Sequence, residues 1–256
     1  MRHAKAFLPW ALPVLLLAAW QAAAETGLIS TRVLPSLSAV AEAGWRLLLS
    51  GELLQHMWIS FVRAALGFAI GGGIGFALGL LNGVSGVAAR LLDSSLQMIR
   101  NVPHLALIPL VILWLGIDEG AKLFLVALGA FFPIYLNTYH GVRTVDVGLI
   151  EMGKVYGLNR WQLFRQVILP GALPSILVGV RYALGITWLT LIVAETISAS
   201  SGIGYMTMNA REFLQTDVVV LGILIYAALG KAADLATVAL ERRCLAWHPA
   251  FRGTAT

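Results

Sequence analysis

Arg100, Asn101, His104, Asn137, Arg181 and Asn209 are polar residues in or beside stretches otherwise apolar enough for lipid. An ionisable group at membrane depth is costly enough to be a functional candidate by default. What these side chains offer is hydrogen bonding and charge rather than bond breaking. Arg100 and Arg181, near the ends of their stretches, also have a plain alternative role, reaching out to lipid headgroups. Catalytic chemistry finds no support in the residue pattern. The five histidines, His3, His56, His104, His140 and His248, are scattered, with no H-E-x-x-H and no paired carboxylates facing a common pocket. A single cysteine, Cys244, allows neither an intrachain disulfide nor a thiolate cluster, so no metal site is expected. No G-x-x-x-x-G-K-[ST] occurs either, since the "LGKA" of Leu229–Ala232 lacks the first glycine and the final hydroxyl.

The elements that position these groups follow from composition. Of the 256 residues 59% are hydrophobic and 12% charged, with a mean hydropathy of +0.82. Soluble domains average about 25% charged residues, so the natural solvent for most of this chain is lipid. A helical span needs about 20 apolar residues. Six stretches qualify, near 7–24, 58–82, 102–120, 121–141, 173–197 and 217–240. Pro103 and Pro109 interrupt the third, which reads as a bent helix packed inside protein. It pairs with the fourth in a hairpin across Asp118–Lys122. With the N-terminus inside, Arg2, Lys5, Arg90, Arg143, Lys154, Arg160, Arg165, Arg242, Arg243 and Arg252 fall inside, against Arg32, Arg46, Lys122 and Arg211 outside. That bias places both termini, the 83–101 connection and the segment around Glu151 in the cytoplasm. It also explains the net charge of +5 without nucleic acid. Residues 1–24 read as a transmembrane anchor, or as a cleavable signal peptide that would leave five spans in the same orientation. Between the first two spans, Ser36 as N-cap and Gly51 as stop frame an amphipathic helix lying against the outer membrane face.

Two further patterns concern packing and shape. Gly67, Gly71, Gly75, Gly79 and Gly83 recur every fourth residue, lining one stripe along which another helix backbone can approach closely. The spans therefore form a bundle. The segment "EMGKVYGLNRWQLFRQVILP", from Glu151 to Pro170, carries one apolar stripe on Ile150, Val155 and Leu158 and another on Leu163, Phe164, Val167 and Ile168. Gly157 separates them where a positive φ lets the chain turn. Pro170 ends the second piece, with a further break at Gly171 and Pro174. Two short helices meeting at a corner on the cytoplasmic side suit a groove on another protein; an interfacial loop meeting anionic lipid is the alternative.

This segment resembles the cytoplasmic loop of permease subunits of bacterial binding-protein-dependent ABC importers. Their pattern is Glu-Ala-Ala, three residues, Gly, nine residues, then Ile-x-Leu-Pro. Here stand Glu151, Gly157, Val167, Leu169 and Pro170, with Met152 and Gly153 where the family usually has alanines. "RNVPHLALIPLVILWLGID", "FPIYLNTYHGVR", the run from Ile168 through "AETISASSGIGYMTMNAREFLQTD" and "GLISTRVLPSLSAV" extend the likeness over nearly the whole chain. They resemble the branch that imports aliphatic sulfonates, taurine and nitrate, and within it most closely the aliphatic sulfonate permeases.

The resemblance implies an all-α membrane protein: one permease domain over 1–256, a polytopic bundle of six transmembrane helices (five if the first segment is cleaved), a core over 58–240 and a cytoplasmic two-helix coupling loop over 142–172. It implies a second copy of the permease, two ATP-binding subunits that carry ATP and Mg, a periplasmic substrate-binding protein, and a place in the bacterial inner membrane. This chain itself would hold no cofactor. Glu151, Gly157, Leu169 and Pro170 would shape the coupling loop, and Met152, Gly153, Leu158, Arg160 and Phe164 would touch the ATPase. The polar residues named first would line the route of an anion with an apolar tail, which needs donors and positive potential without a deep well. The segment 198–217, glycine-rich and outside, would meet the binding protein or gate the outer mouth. An ATP-independent secondary transporter shares the composition and is the competing class.

Overall fold

Residues long enough and apolar enough for a bilayer satisfy their backbone hydrogen bonds internally, and every regular element among the described residues is helical. The computed structural model describes the backbone of residues 2–31 and 33–247, with side chains over the same ranges except 2–10 and 198. The side chains of Arg2, His3, Lys5, Arg32, His248 and Arg252, to which the expectations above refer, lie outside that description.

The elements in order are α1 (Arg2–Glu25), α2 (Leu37–Leu49), α3 (Glu52–Val84), α4 (Gly86–Arg100), a 3-10 turn (His104–Leu107), α5 (Ile108–Leu115), α6 (Glu119–Arg143), α7 (Val147–Val155), α8 (Arg160–Leu163), a π turn (Phe164–Ile168), α9 (Leu169–Ser198), α10 (Ile203–Glu212) and α11 (Thr216–Cys244). Four helical stretches are long and apolar enough to cross a membrane: α3, α6, the continuous run Arg160–Ile197 and α11. A fifth arises if α4 and the stretch His104–Leu115, bent by 79° at their junction, count as one broken span. Ala11–Glu25 is a shorter apolar helix.

The third expected span, 102–120, is not one helix. Pro103 disfavours helical backbone in the residue before it and starts a 3-10 turn, and α5 stops after eight residues where Gly116 takes φ 74°. The preceding 83–101 segment, expected as a connection, is the amphipathic helix α4. Its start is set by the Ser85 hydroxyl, which accepts from the Ala88 N–H at 3.2 Å.

The chain divides into two compact units. One comprises residues 1–60 and 200–227. In it the Ser36 hydroxyl caps α2 by accepting from the Ala39 N–H at 3.2 Å, and Gly51 beyond the helix has φ 81°. The Gly202 N–H donates to His56 Nδ1 at 3.1 Å, and the Ile203 N–H to Ser60 Oγ at 2.9 Å, which holds the start of α10.

The other unit comprises residues 61–199 and 228–256. Its core lies along α6, where Leu125, Val126, Ala130, Ile134 and Tyr135 are buried. The α3 glycines run along this helix. A Cβ on Gly71 would fall on the Ala127 carbonyl, one on Gly75 would stand 2.5 Å from the Phe131 carbonyl oxygen, and one on Gly83 2.7 Å from Val142 Cβ. Gly67 and Gly79 meet Val126 and Thr138 in the same way. Only a residue without a side chain allows this approach.

Candidate functional site

The corner between α7 and α8 is built by local chemistry. Asp146 caps α7, its carboxylate accepting from the Gly148 N–H at 2.7 Å. At the other end the Leu158 N–H reaches the Gly153 carbonyl and the Gly157 N–H the Lys154 carbonyl, each at 3.0 Å. These paired bonds, with Gly157 at φ 77°, close the helix in a Schellman motif. Two residues on, the Asn159 side chain accepts from the Gln162 N–H while the Gln162 side chain accepts from the Asn159 N–H, both at 2.9 Å. This capping box starts α8 at once, so the chain turns within three residues.

Two expectations for this region need correction. Pro170 does not end a helix. It lies in the first turn of α9, and the backbone runs from Arg160 to Ile197 as one stretch. The π turn makes this possible: the Leu169 N–H bonds to the Phe164 carbonyl, a wider loop in the residues just before the proline, which has no N–H to give. Pro174 is likewise inside α9 and Gly171 makes no break. Gly153 is buried rather than outward: a Cβ there would stand 2.7 Å from Leu163 Cδ1 and 3.2 Å from Leu158 Cδ1. Its smallness lets α7 and α8 close on one another. Val155, from the first apolar stripe, is 87% exposed.

Of the expected contact residues, Met152 and Arg160 are exposed and Leu158 and Phe164 half-buried; Glu151 is exposed and Gly157, at the apex, is also open. Leu169 and Pro170 are half-buried, and Leu169 packs with Ile150, Val167 and Ile168 against Val142, Val145, Ala172 and Ile176. The outward face includes residues that periodicity did not single out: Val147, Tyr156 and Trp161, the last stacked on Phe164 at 5.8 Å between ring centroids. Helical periodicity groups apolar residues into stripes, and these three fall outside both stripes. Beside them Arg160, Trp161, Phe164 and Ile168 join Ala77, Leu80 and Leu81 of α3 around a groove of about 570 Å³.

The polar candidates do not converge. Arg100 and Asn101 are exposed at the end of α4. His104 Nε2 lies 3.0 Å from the hydroxyl of buried Thr190 on α9. Asn137 donates to the Pro133 carbonyl at 2.8 Å, within its own helix. Arg181 pairs with Asp234 at 3.2 Å and Glu241 at 3.4 Å on α11. Asn209 is exposed on α10 in the other unit.

Two polar assemblies were missed from sequence. Arg63 is buried in α3, its guanidinium donating to both Glu119 oxygens at 2.7 and 2.6 Å and to Glu195 Oε1 at 2.8 Å, while Lys122 reaches Glu119 at 3.0 Å. Asn82 donates to the Tyr135 hydroxyl at 2.8 Å, and that hydroxyl donates to Asp93 at 3.1 Å, tying α4 to α3 and α6. Among the described residues no group of histidine, cysteine and carboxylate side chains could hold a metal ion.

The sequence model of the family described as binding-protein-dependent transport system inner membrane component matches residues 69–245. The chain belongs to that family. Its members are membrane transport components rather than enzymes. This inner membrane component is 64% identical to the aliphatic sulfonates transport permease protein SsuC of Escherichia coli (strain K12), over 95% of this chain and 92% of that one. It is 49% identical to the protein of the same name from Bacillus subtilis (strain 168), over 94% and 88%. The taurine transport system permease protein TauC of Escherichia coli (strain K12) is 38% identical over 91% and 86%. Among solved structures, an inward-facing conformation of the MetNI methionine ABC transporter superposes with a TM-score of 0.57 at 21% identity, covering 71% of this chain and 93% of that one. That likeness confirms the fold of an inner membrane component.

Proposed function

We propose that this chain is the permease subunit of an ATP-driven, binding-protein-dependent importer of aliphatic sulfonates. The observation that carries the reading is the 64% identity to SsuC across 95% of the chain, against 38% to the taurine permease. Two copies form the pathway and switch its access between the two membrane faces. Two ATP-binding subunits hold ATP and Mg and dock on the α7–α8 corner, and a periplasmic binding protein delivers the substrate to the outer mouth near 198–217. Both termini and the corner lie in the cytoplasm, in keeping with the distribution of arginine and lysine.

The corner suits transmission. Met152, Val155, Tyr156, Trp161 and Arg160 face out from it. Behind them the run Arg160–Ile197 is one helical stretch, so displacement of the corner moves a span rather than a loop. Glu151, Gly157 and Leu169–Pro170 set its shape, and Leu158 and Phe164 stiffen it from behind. ATPase closure shifts the permease between states through contacts that differ in the two.

The test is uptake of labelled alkanesulfonate into proteoliposomes holding the permease, its ATPase and its binding protein, with Gly157→Pro as the comparison. Proline cannot adopt φ 77° and removes the N–H given to Lys154. ATP-dependent uptake in the parent complex, lost in the variant together with ATPase retention while the permease stays folded, is the expected result. Uptake without the ATPase would overturn the reading, and uptake of taurine or nitrate in place of the sulfonate would correct its substrate.

A further inference from the structure

Helix α11 reaches membrane-spanning length only by taking charge with it. Between Asp217 and Lys231 stand thirteen uncharged residues, Val218 to Gly230. They cover about 20 Å at about 1.5 Å per residue, against a hydrocarbon core of about 30 Å. The next apolar run, Leu235 to Leu240, begins only after Asp234. Lys231 and Asp234 therefore lie within the hydrocarbon layer.

They lie there in the open. The Lys231 side chain is 67% exposed, that of Asp234 38% and that of Arg181, on α9, 40%. The three are linked through the carboxylate: Lys231 Nζ meets Asp234 Oδ2 at 2.8 Å and Arg181 Nε meets Asp234 Oδ1 at 3.2 Å. Arg181 Nη2 is also 3.4 Å from Glu241, which is nearly buried and holds the guanidinium to α11. Exposed charges at such depth face a water-filled cavity or a polar partner, not acyl chains.

The geometry points to this α9–α11 face as part of the aqueous route, with Arg181 and Lys231 as the cationic contacts for the anionic head of the substrate and Asp234 as the group that occupies both cations in its absence. The inference rests on the importer reading and names the residues that would discriminate for an anion. A sulfonate is a monoanion with three acceptor oxygens, enough to satisfy a guanidinium edge and an ammonium together. It enters by exchanging with Asp234, whose two oxygens already sit one on each cation. Exchange against an internal carboxylate keeps the site shallow, and a transported ion has to leave again. No covalent step is involved.

The experiment uses the complete complex in proteoliposomes, with Cys244→Ser as background. Lys231→Cys is treated with a charged, water-borne methanethiosulfonate, with and without alkanesulfonate, and uptake per ATP hydrolysed is compared for Lys231→Gln, Asp234→Asn and the double variant. Expected are labelling of the cysteine, its protection by alkanesulfonate but not by an uncharged sulfonamide of equal length, and roughly tenfold lower uptake per ATP in Lys231→Gln, the loss of one charge contact in a partly screened site. Asp234→Asn falls less, and the double variant stays as low as Lys231→Gln.

Absence of labelling would overturn the inference by showing lipid or a second copy over the face. Recovery of uptake in the double variant would also overturn it, because the pair would then serve only to neutralise itself. Labelling protected by taurine or nitrate but not by the alkanesulfonate would refute the proposed substrate and support the cationic route.

Discussion

Among the described residues stand two assemblies of two cations and two carboxylates, and they differ in how far their side chains are exposed. In the first, Arg63, Lys122 and Glu195 have side chains 4%, 3% and 0% exposed, and Glu119 alone reaches outward. In the second, Arg181, Lys231 and Asp234 are open and only Glu241 is nearly buried. Both belong to the unit formed by 61–199 and 228–256, and both use α9, at Glu195 and at Arg181. Fourteen residues separate those two positions, about 21 Å along a helix. Equal charge counts thus serve opposite ends: the closed assembly fixes three helices to one another, and the open one leaves its charges free to exchange partners.

The largest expected effect comes from breaking the closed assembly. Arg63→Met leaves Glu195 fully buried without the guanidinium that now donates to it at 2.8 Å. Removing one partner of a buried pair costs about 3–5 kcal/mol, because the remaining charge loses the group that compensates it most directly. The purified permease should melt well below the parent in detergent. Adding Glu195→Leu should restore much of the loss, since an apolar pair of similar volume is often no less stable than the ion pair. Failure of the second substitution to rescue the first would mean that Arg63 acts mainly through contacts other than the one to Glu195.

Much of the architecture was legible in the sequence because it depends on local spacing. The glycine register predicted where α3 and another helix touch, and Ser36, Gly51 and Gly157 marked caps and a corner that the structure places at those residues. Arg63 was not legible as a buried residue. Its carboxylate partners lie 56 and 132 residues away, and nothing in the local pattern of α3 distinguishes a paired arginine from one at the edge of a span. The π turn was missed for a related reason: proline chemistry predicts a break, and only the hydrogen bond from Leu169 to Phe164 shows how the helix continues. Helix α4 read as a connection because its apolar residues fill one face only, and the structure buries none of them.

An intermediate effect sharpens the comparison from the other side. Lys231→Gln should shift the melting temperature far less than Arg63→Met, because the Lys231 side chain is open rather than packed and Asp234 keeps Arg181. Its effect should appear instead in transport per ATP hydrolysed. Measuring both quantities on both variants separates a stability role from a transport role. If Lys231→Gln lowered the melting temperature as much as Arg63→Met, the open assembly would be structural too and the contrast would fail.

The smallest effect is expected at an ion pair of the other unit, between Arg46 on α2 and Asp217 at the start of α11. The bond is 3.3 Å long, with side chains 65% and 26% exposed. Such surface pairs contribute about 0–1 kcal/mol, screened further by salt. Helix α2 does not depend on it: Val40 and Ala43 are buried, and Gly44 packs so close to Leu221 that a Cβ would stand 3.2 Å from its Cδ1. Arg46→Ala should therefore leave the melting temperature nearly unchanged at moderate salt, whereas Gly44→Val, which removes no charge, should lower it by forcing Leu221 aside. A larger loss from Arg46→Ala than from Gly44→Val would show that charge holds α2 in place, and exposure would then be a poor guide to what an ion pair contributes in this protein.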